Sequence, residues 1–121
     1  MEKLRLALSF LFALLLIAAG INHFIHPTVY ASFIPDWLPL IATNYITGIV
    51  EIGLGAGLIF PASRKVAAIA TNLLMVFFLP FHVYDVFRTH PAIGSTLFAL
   101  IRLPLQFLLI YWAWFLVPRA R

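Results

Sequence analysis

The chain predicts an all-α fold: a polytopic membrane protein in which four antiparallel transmembrane helices form a bundle with both termini in the cytoplasm. Three observations carry this expectation. Of 121 residues, 64% are apolar and 10% charged, with a mean hydropathy of +1.04. A soluble domain of this length has too little interior to hide that much apolar surface. Four segments, 4–22, 44–60, 66–84 and 97–117, each approach the roughly 20 mostly apolar residues that a spanning helix needs. Finally, Lys3, Arg5, Arg64, Lys65, Arg119 and Arg121 fall on one side of such a layout, with Arg88 alone on the other. The positive-inside rule then places the termini in the cytoplasm and the chain in the cell (inner) membrane as a multi-pass protein.

These spans use most of the chain, so 1–121 reads as a single four-helix transmembrane domain without a soluble module. The absence of cysteine excludes a disulfide framework, a thiolate nucleophile and thiol redox chemistry within the chain. The pI near 10.0 reads as a topology signal rather than nucleic-acid binding, because the basic residues flank the spans.

The first span follows Lys3 and Arg5 and ends near Asn22 and His23. Residues 1–20 also resemble a secretory signal, with a basic start, an apolar run and Ala18-Ala19-Gly20 at the end. Cleavage there would leave three helices in the same orientation. The loop 23–43 is long, holds no Lys or Arg, and carries Tyr30, Phe33, Ile34 and Trp37 between Pro27 and Pro35. Pro27 suits the first turn of a short helix and Pro35 its end. Such a helix is either an interfacial anchor or a lid over something between the spans.

The second span holds Gly48, Gly53, Gly55 and Gly57. Gly53 and Gly57 form a G-x-x-x-G pair, while Gly48 and Gly55 flank Glu51 on its own face, which permits close helix packing or leaves room for a ligand. The turn 61–65 is tight and makes spans two and three antiparallel neighbours. Pro80 and Pro104 interrupt spans three and four and free the carbonyls of Val76 and Leu100. The fourth span ends in Tyr111, Trp112 and Trp114, a second aromatic belt opposite that of the long loop.

The polar residues inside the spans gather at one depth. Glu51 lies ~10 Å below the expected start of span two and Arg102 ~8 Å into span four, at 1.5 Å per residue. Gln106 shares the face of Arg102 one turn deeper. The ends of spans one and three bring Asn22, His23, His82 and Asp85 to the same outer half. Charges at membrane depth face the interior and need partners, and Glu51 and Arg102 are the evident pair. Two readings follow: a polar pocket open to the outer half, or a buried ion pair that only sets helix register. His23 and His26 have i,i+3 spacing, but no metal-ligand signature accompanies them, which argues against metal or haem.

Three collinear stretches resemble the DoxX-like family of small integral membrane proteins. They are Ala19-Gly20-Ile21-Asn22-His23-Phe24 with Pro27, Pro35 and Pro39; Gly48-x-x-Glu51-x-x-x-Gly55-x-Gly57-Leu58 with Pro61 and Arg64; and Arg102-Leu103-Pro104-Leu105-Gln106 with Trp112 and Trp114. The resemblance implies a four-helix membrane bundle and a respiratory or redox setting, as in quinone-linked oxidoreductase subunits and accessories to thiol-stress complexes. The lack of cysteine departs from any thiol-active version.

Two functions are therefore expected. One is binding, or conversion, of an amphipathic small molecule: a quinone, isoprenoid or lipid. Arg102 and Gln106 would hold its head, with His82, Asp85, Asn22 and His23 around it and Glu51 as the best catalytic candidate through proton exchange. The other is a structural or accessory subunit of a membrane oxidoreductase complex. The expected partners are the bilayer, the amphiphile and a second copy or oxidoreductase subunit, with no nucleic acid.

Overall fold

In the computed structural model, which describes residues 2–118, four long helices and one short 3-10 helix make up the chain. Helix α1 is Glu2–Ile25, the 3-10 helix η1 is Pro27–Phe33, α2 is Leu40–Ile59, α3 is Arg64–Val86 and α4 is Thr96–Leu116. All four α-helices are long and apolar enough to cross a membrane. The hydropathy-derived spans match them closely. The main difference is at α2, which begins at Leu40 directly after Pro39. Pro27 starts η1 as expected, and Ser95 caps α4 by accepting a hydrogen bond from Phe98 N at 3.1 Å.

The surface is apolar and the interior is partly polar. Leu14, Ile46, Phe77 and Leu97 are more than 60% exposed, whereas Ser9, Asn44, Thr71, Asp85 and Gln106 are at most 1% exposed. In water this distribution would be unstable. In a bilayer it is the expected one, because lipid solvates the apolar faces and polar groups must find partners inside. This is a membrane protein.

The helices run alternately up and down. Gln106 Nε2 donates to Met75 O at 2.6 Å and Asn72 Nδ2 to Ile110 O at 2.8 Å, which sets α3 and α4 antiparallel. The most extensive packing joins α1 to α2 and α3 to α4. Helices α2 and α3 are antiparallel neighbours, as the tight turn requires, yet they touch less than α1 and α2, which are joined by the long loop. Glycine explains the order. A Cβ at Gly20 would lie 2.7 Å from Gly48 O, one at Gly48 2.8 Å from Gly20 O, and one at Gly55 2.8 Å from Ala13 O. The α1 and α2 backbones therefore meet along a seam that no larger residue fits. Gly48 and Gly55 serve helix packing here. Gly53 faces open space while Gly57 abuts Ala67 of α3, so the G-x-x-x-G pair is not a single contact surface.

One end of the bundle is solid. Phe12, Leu16, Leu58, Ala68, Ala113 and Leu116 form its core. Arg5 Nε donates to Phe115 O at 3.0 Å, and Arg64 reaches Leu58 O at 2.8 Å and Ile59 O at 2.6 Å. Trp112 packs on Phe12 with ring centroids 4.6 Å apart, so it belongs to the core and not to the expected belt, while Tyr111 and Trp114 stay exposed. This is the end that carries Lys3, Arg5, Arg64 and Lys65; Arg119 and Arg121, assigned to it from the sequence, lie outside the described residues.

Candidate functional site

At the opposite end the two helix pairs diverge around a cavity of about 590 Å³. Its floor is made by Phe12, Leu16, Met75 and Leu109, and its walls by all four long helices. Its roof is η1 and the segment after it, through Tyr30, Phe33, Ile34 and Leu38. Trp37 of the same loop points away and is 81% exposed. The loop thus combines both expected roles, covering the cavity with one side and presenting an aromatic to the surroundings with the other. The roof is tied down. Asn44 Nδ2 donates to Pro27 O at 3.1 Å, Arg88 Nη1 to Ser32 O at 2.7 Å, and Asn22 Nδ2 to the Tyr30 hydroxyl at 2.8 Å.

The lining is mostly apolar, with a few convergent polar groups, the usual composition of a small-molecule site. Of the seven residues expected to form the site, the cavity gathers Glu51, His23, His82 and Arg102. Glu51 does not pair with Arg102. Its Oε1 lies 3.2 Å from His23 Nε2, within ion-pair range but without hydrogen-bond geometry. The helix register explains the difference. Gln106 opposite Met75 sets Arg102 level with Leu79 of α3, and Gly57 opposite Ala67 sets Glu51 level with Leu73. Six residues of rise separate the two levels by ~9 Å. Arg102 Nη1 is buried without a hydrogen-bond partner, and among the described residues no carboxylate lies within ion-pair distance of this guanidinium.

The other three expected residues support structure instead of lining the cavity. Gln106 is fully buried and bonds Met75 O, the carbonyl adjacent to the one freed by Pro80. It sits between α3 and α4, because a 3.6-residue period rotates i+4 slightly away from i. Asp85 accepts from Ala92 N and from Ile93 N at 3.3 Å and lies 3.7 Å from Arg88. It organises the α3–α4 turn. Asn22 holds Tyr30 and, through Oδ1, His26 Nδ1 at 2.8 Å.

Two further residues shape the site; the sequence marks Tyr30 only as an aromatic of the interfacial loop helix and Asn44 only as the start of span two. Tyr30 stacks on the His23 ring with centroids 3.8 Å apart. Asn44 accepts from His23 Nδ1 at 2.8 Å. A signal for Asn44 existed: it begins the buried stripe Asn44, Gly48, Glu51, Gly55 and Leu58 of α2, a 3.5-residue repeat with Glu51 at its centre. Thr43 and Thr47 of the same helix also line the cavity. Opposite, His82 meets Phe33 edge-on at 5.6 Å. Among the described residues no three His, Asp or Glu side chains cluster as a metal site.

The orientation of the Asn44 amide decides which ring nitrogen of His23 carries a hydrogen. Asn44 Nδ2 donates to Pro27 O and to Leu40 O at 3.0 Å, which orients the amide with Oδ1 toward His23. An amide oxygen only accepts, so His23 Nδ1 carries a hydrogen. In a neutral ring Nε2 would then present a lone pair to Glu51 Oε1, and two acceptors at 3.2 Å repel. A proton on either group would turn this contact into an attractive one.

A profile of the family described as Domain of unknown function (DUF8561) matches residues 12–117. The chain belongs to the DUF8561 family. The matched stretch includes every cavity-lining residue, from Phe12 to Leu109. The cavity is therefore part of what the DUF8561 match covers. Comparison with curated proteins and with solved structures found no match.

Proposed function

We propose that this DUF8561 protein binds an amphipathic small molecule, a quinone, isoprenoid or other lipid, in the roofed cavity. Its basic end faces the cytoplasm, and the cavity lies in the outer half of the cell membrane. The observation that carries this reading is a cavity of about 590 Å³ with apolar floor and walls and two chemically distinct polar stations, Arg102 and the His23–Glu51 pair. A residue that only sets register fills its space; these groups instead face one that is open. Arg102 would hold the head group, with His82 beside it. Glu51 and His23 would exchange a proton with the ligand or bond to it, which makes Glu51 the leading candidate for any chemistry. The resemblance to DoxX-like proteins supports a membrane redox setting and, with it, a quinone.

A second reading is a structural or accessory subunit of an oxidoreductase complex, in which buried polar residues serve packing as Gln106 and Asp85 do. Mass spectrometry of protein purified in mild detergent separates the two. Glu51→Gln keeps the side-chain shape, and its amide can donate to His23 Nε2, so the fold is expected to persist. We expect a stoichiometric amphiphile in the wild type and its depletion in folded Glu51→Gln. An empty wild type, together with a partner protein that co-purifies in stoichiometric amount, would favour the accessory-subunit reading.

A further inference from the structure

We infer that the cavity is specific for a lipid-tailed acid, an amphiphile whose head is a single anionic oxyacid group bound by Arg102. This rests on the proposed small-molecule binding and narrows its ligand class.

The chain has four acidic residues, and none is available to Arg102. Glu2 pairs with Arg5 at the basic end. Asp36 is exposed on the loop and does not line the cavity. Asp85 is occupied by two backbone amides and Arg88. Glu51 faces His23 Nε2 at 3.2 Å and is not within ion-pair distance of Arg102. What remains is the Arg102 guanidinium, with Nη1 buried and unbonded. The cavity therefore holds a guanidinium with no carboxylate in contact with it among the described residues.

An uncompensated cation inside a membrane protein is costly, and intramembrane charges are normally paired. A neutral quinone or alcohol would leave that charge uncompensated. A carboxylate or phosphate would neutralise it and engage the fork of guanidinium donors, a geometry that suits planar oxyanions. The rest of the cavity suits a tail: Phe12, Leu16, Phe78, Phe81 and Leu109 continue below and beside the cation. Head and tail thus have separate places along one cavity.

The test uses matched probes on the full chain in a non-ionic detergent, with retention read by native mass spectrometry. One arm compares dodecanoate with methyl dodecanoate, which differ in charge and little in length. The other compares phosphatidylglycerol with diacylglycerol, which lacks the phosphate, and shows whether the acid is a free single-chain molecule or a bilayer lipid. The wild type is expected to prefer the anionic member of at least one pair by about 10- to 100-fold, the range for a charge-assisted hydrogen bond. Arg102→Gln is expected to abolish the preference, and Arg102→Lys to keep part of it. Should Arg102→Gln not fold, the paired comparison on the wild type decides alone. Equal retention of charged and uncharged probes would overturn the anionic head while leaving small-molecule binding intact. No retention of any probe would also overturn the lipid-tailed acid, while small-molecule binding itself is decided by the co-purification experiment.

Discussion

The two ends of the bundle are built from the same four helices and differ in what their polar residues do. At the basic end, polar side chains fold back on main-chain carbonyls: Ser9 on Arg5 O at 2.8 Å, Asn72 on Ile110 O and Arg64 on Leu58 O. Thr71 Oγ1 and Trp112 Nε1 find no partner there, but both lie against packed side chains. At the cavity end, Glu51, His82 and Arg102 face open volume under a roof that is itself held by hydrogen bonds. The lesson is that polarity at membrane depth is not by itself a site. Gln106 and Asp85 are at most 1% exposed and brace backbone groups, although Gln106 Oε1 itself has no partner, and neither lines the cavity. Arg102 differs in having an unpaired donor and space in front of it.

The contrast can be broken by mutation, beginning with the largest effect. Leu58→Ala removes a fully buried side chain at the basic end. It should cost a few kcal/mol, toward the low end of the ~2–5 kcal/mol range for buried leucine, since lipid competes as an apolar environment. Thermal unfolding in detergent reads it directly. A loss below that range would mean that the basic end is less tightly packed than described.

Enlarging an alanine separates the two ends more sharply. Ala68 is fully buried in the core, whereas Ala19 lines the cavity. Ala68→Leu should destabilise by about 1–3 kcal/mol through overpacking. Ala19→Leu should leave the melting temperature nearly unchanged and displace any co-purifying amphiphile. Equal destabilisation by the two substitutions would show that the space beside Ala19 is not open.

The smallest global effect is expected at the roof. Asn44→Ala removes the bonds to Pro27 O, Leu40 O and His23. Its global cost should be near ~1 kcal/mol, with the main consequence being local opening. Hydrogen exchange should therefore accelerate across residues 27–35 and change little in α3 and α4. Uniform acceleration along the chain would instead make Asn44 a global stabiliser.

Much of the fold was legible in the sequence because the bilayer imposes coarse rules. A length of about 20 apolar residues per span and the proline-bounded loop sufficed to place α1, η1, α2, α3 and α4. The candidate site was half legible. Glu51 and Arg102 stood out as charges in apolar runs, and the helix ends led to His23 and His82. Their pairing was not legible, since it depends on the vertical register of α2 against α4, and a side chain shifted by ~9 Å meets a different partner. Helix periodicity put Gln106 on the face of Arg102, but the α3 backbone beside it took its amide. Asn44 and Tyr30 were not legible as site residues, because neither type is unusual near a helix end and Tyr30 reads equally well as an interface aromatic.

By itself the sequence determined that the chain is a bundle of four membrane-spanning helices, with its intramembrane charges inside and no cysteine chemistry. Hydrophobic length and composition are local properties, and the solvent enforces them. Three outcomes come from the packing of the helices: Glu51 meets His23, Gly20, Gly48 and Gly55 serve the α1–α2 seam, and Arg102 faces the cavity with no carboxylate in contact with it. Those outcomes depend on how closely two backbones approach and at what height they stop, which side-chain packing across helices sets and no single segment encodes.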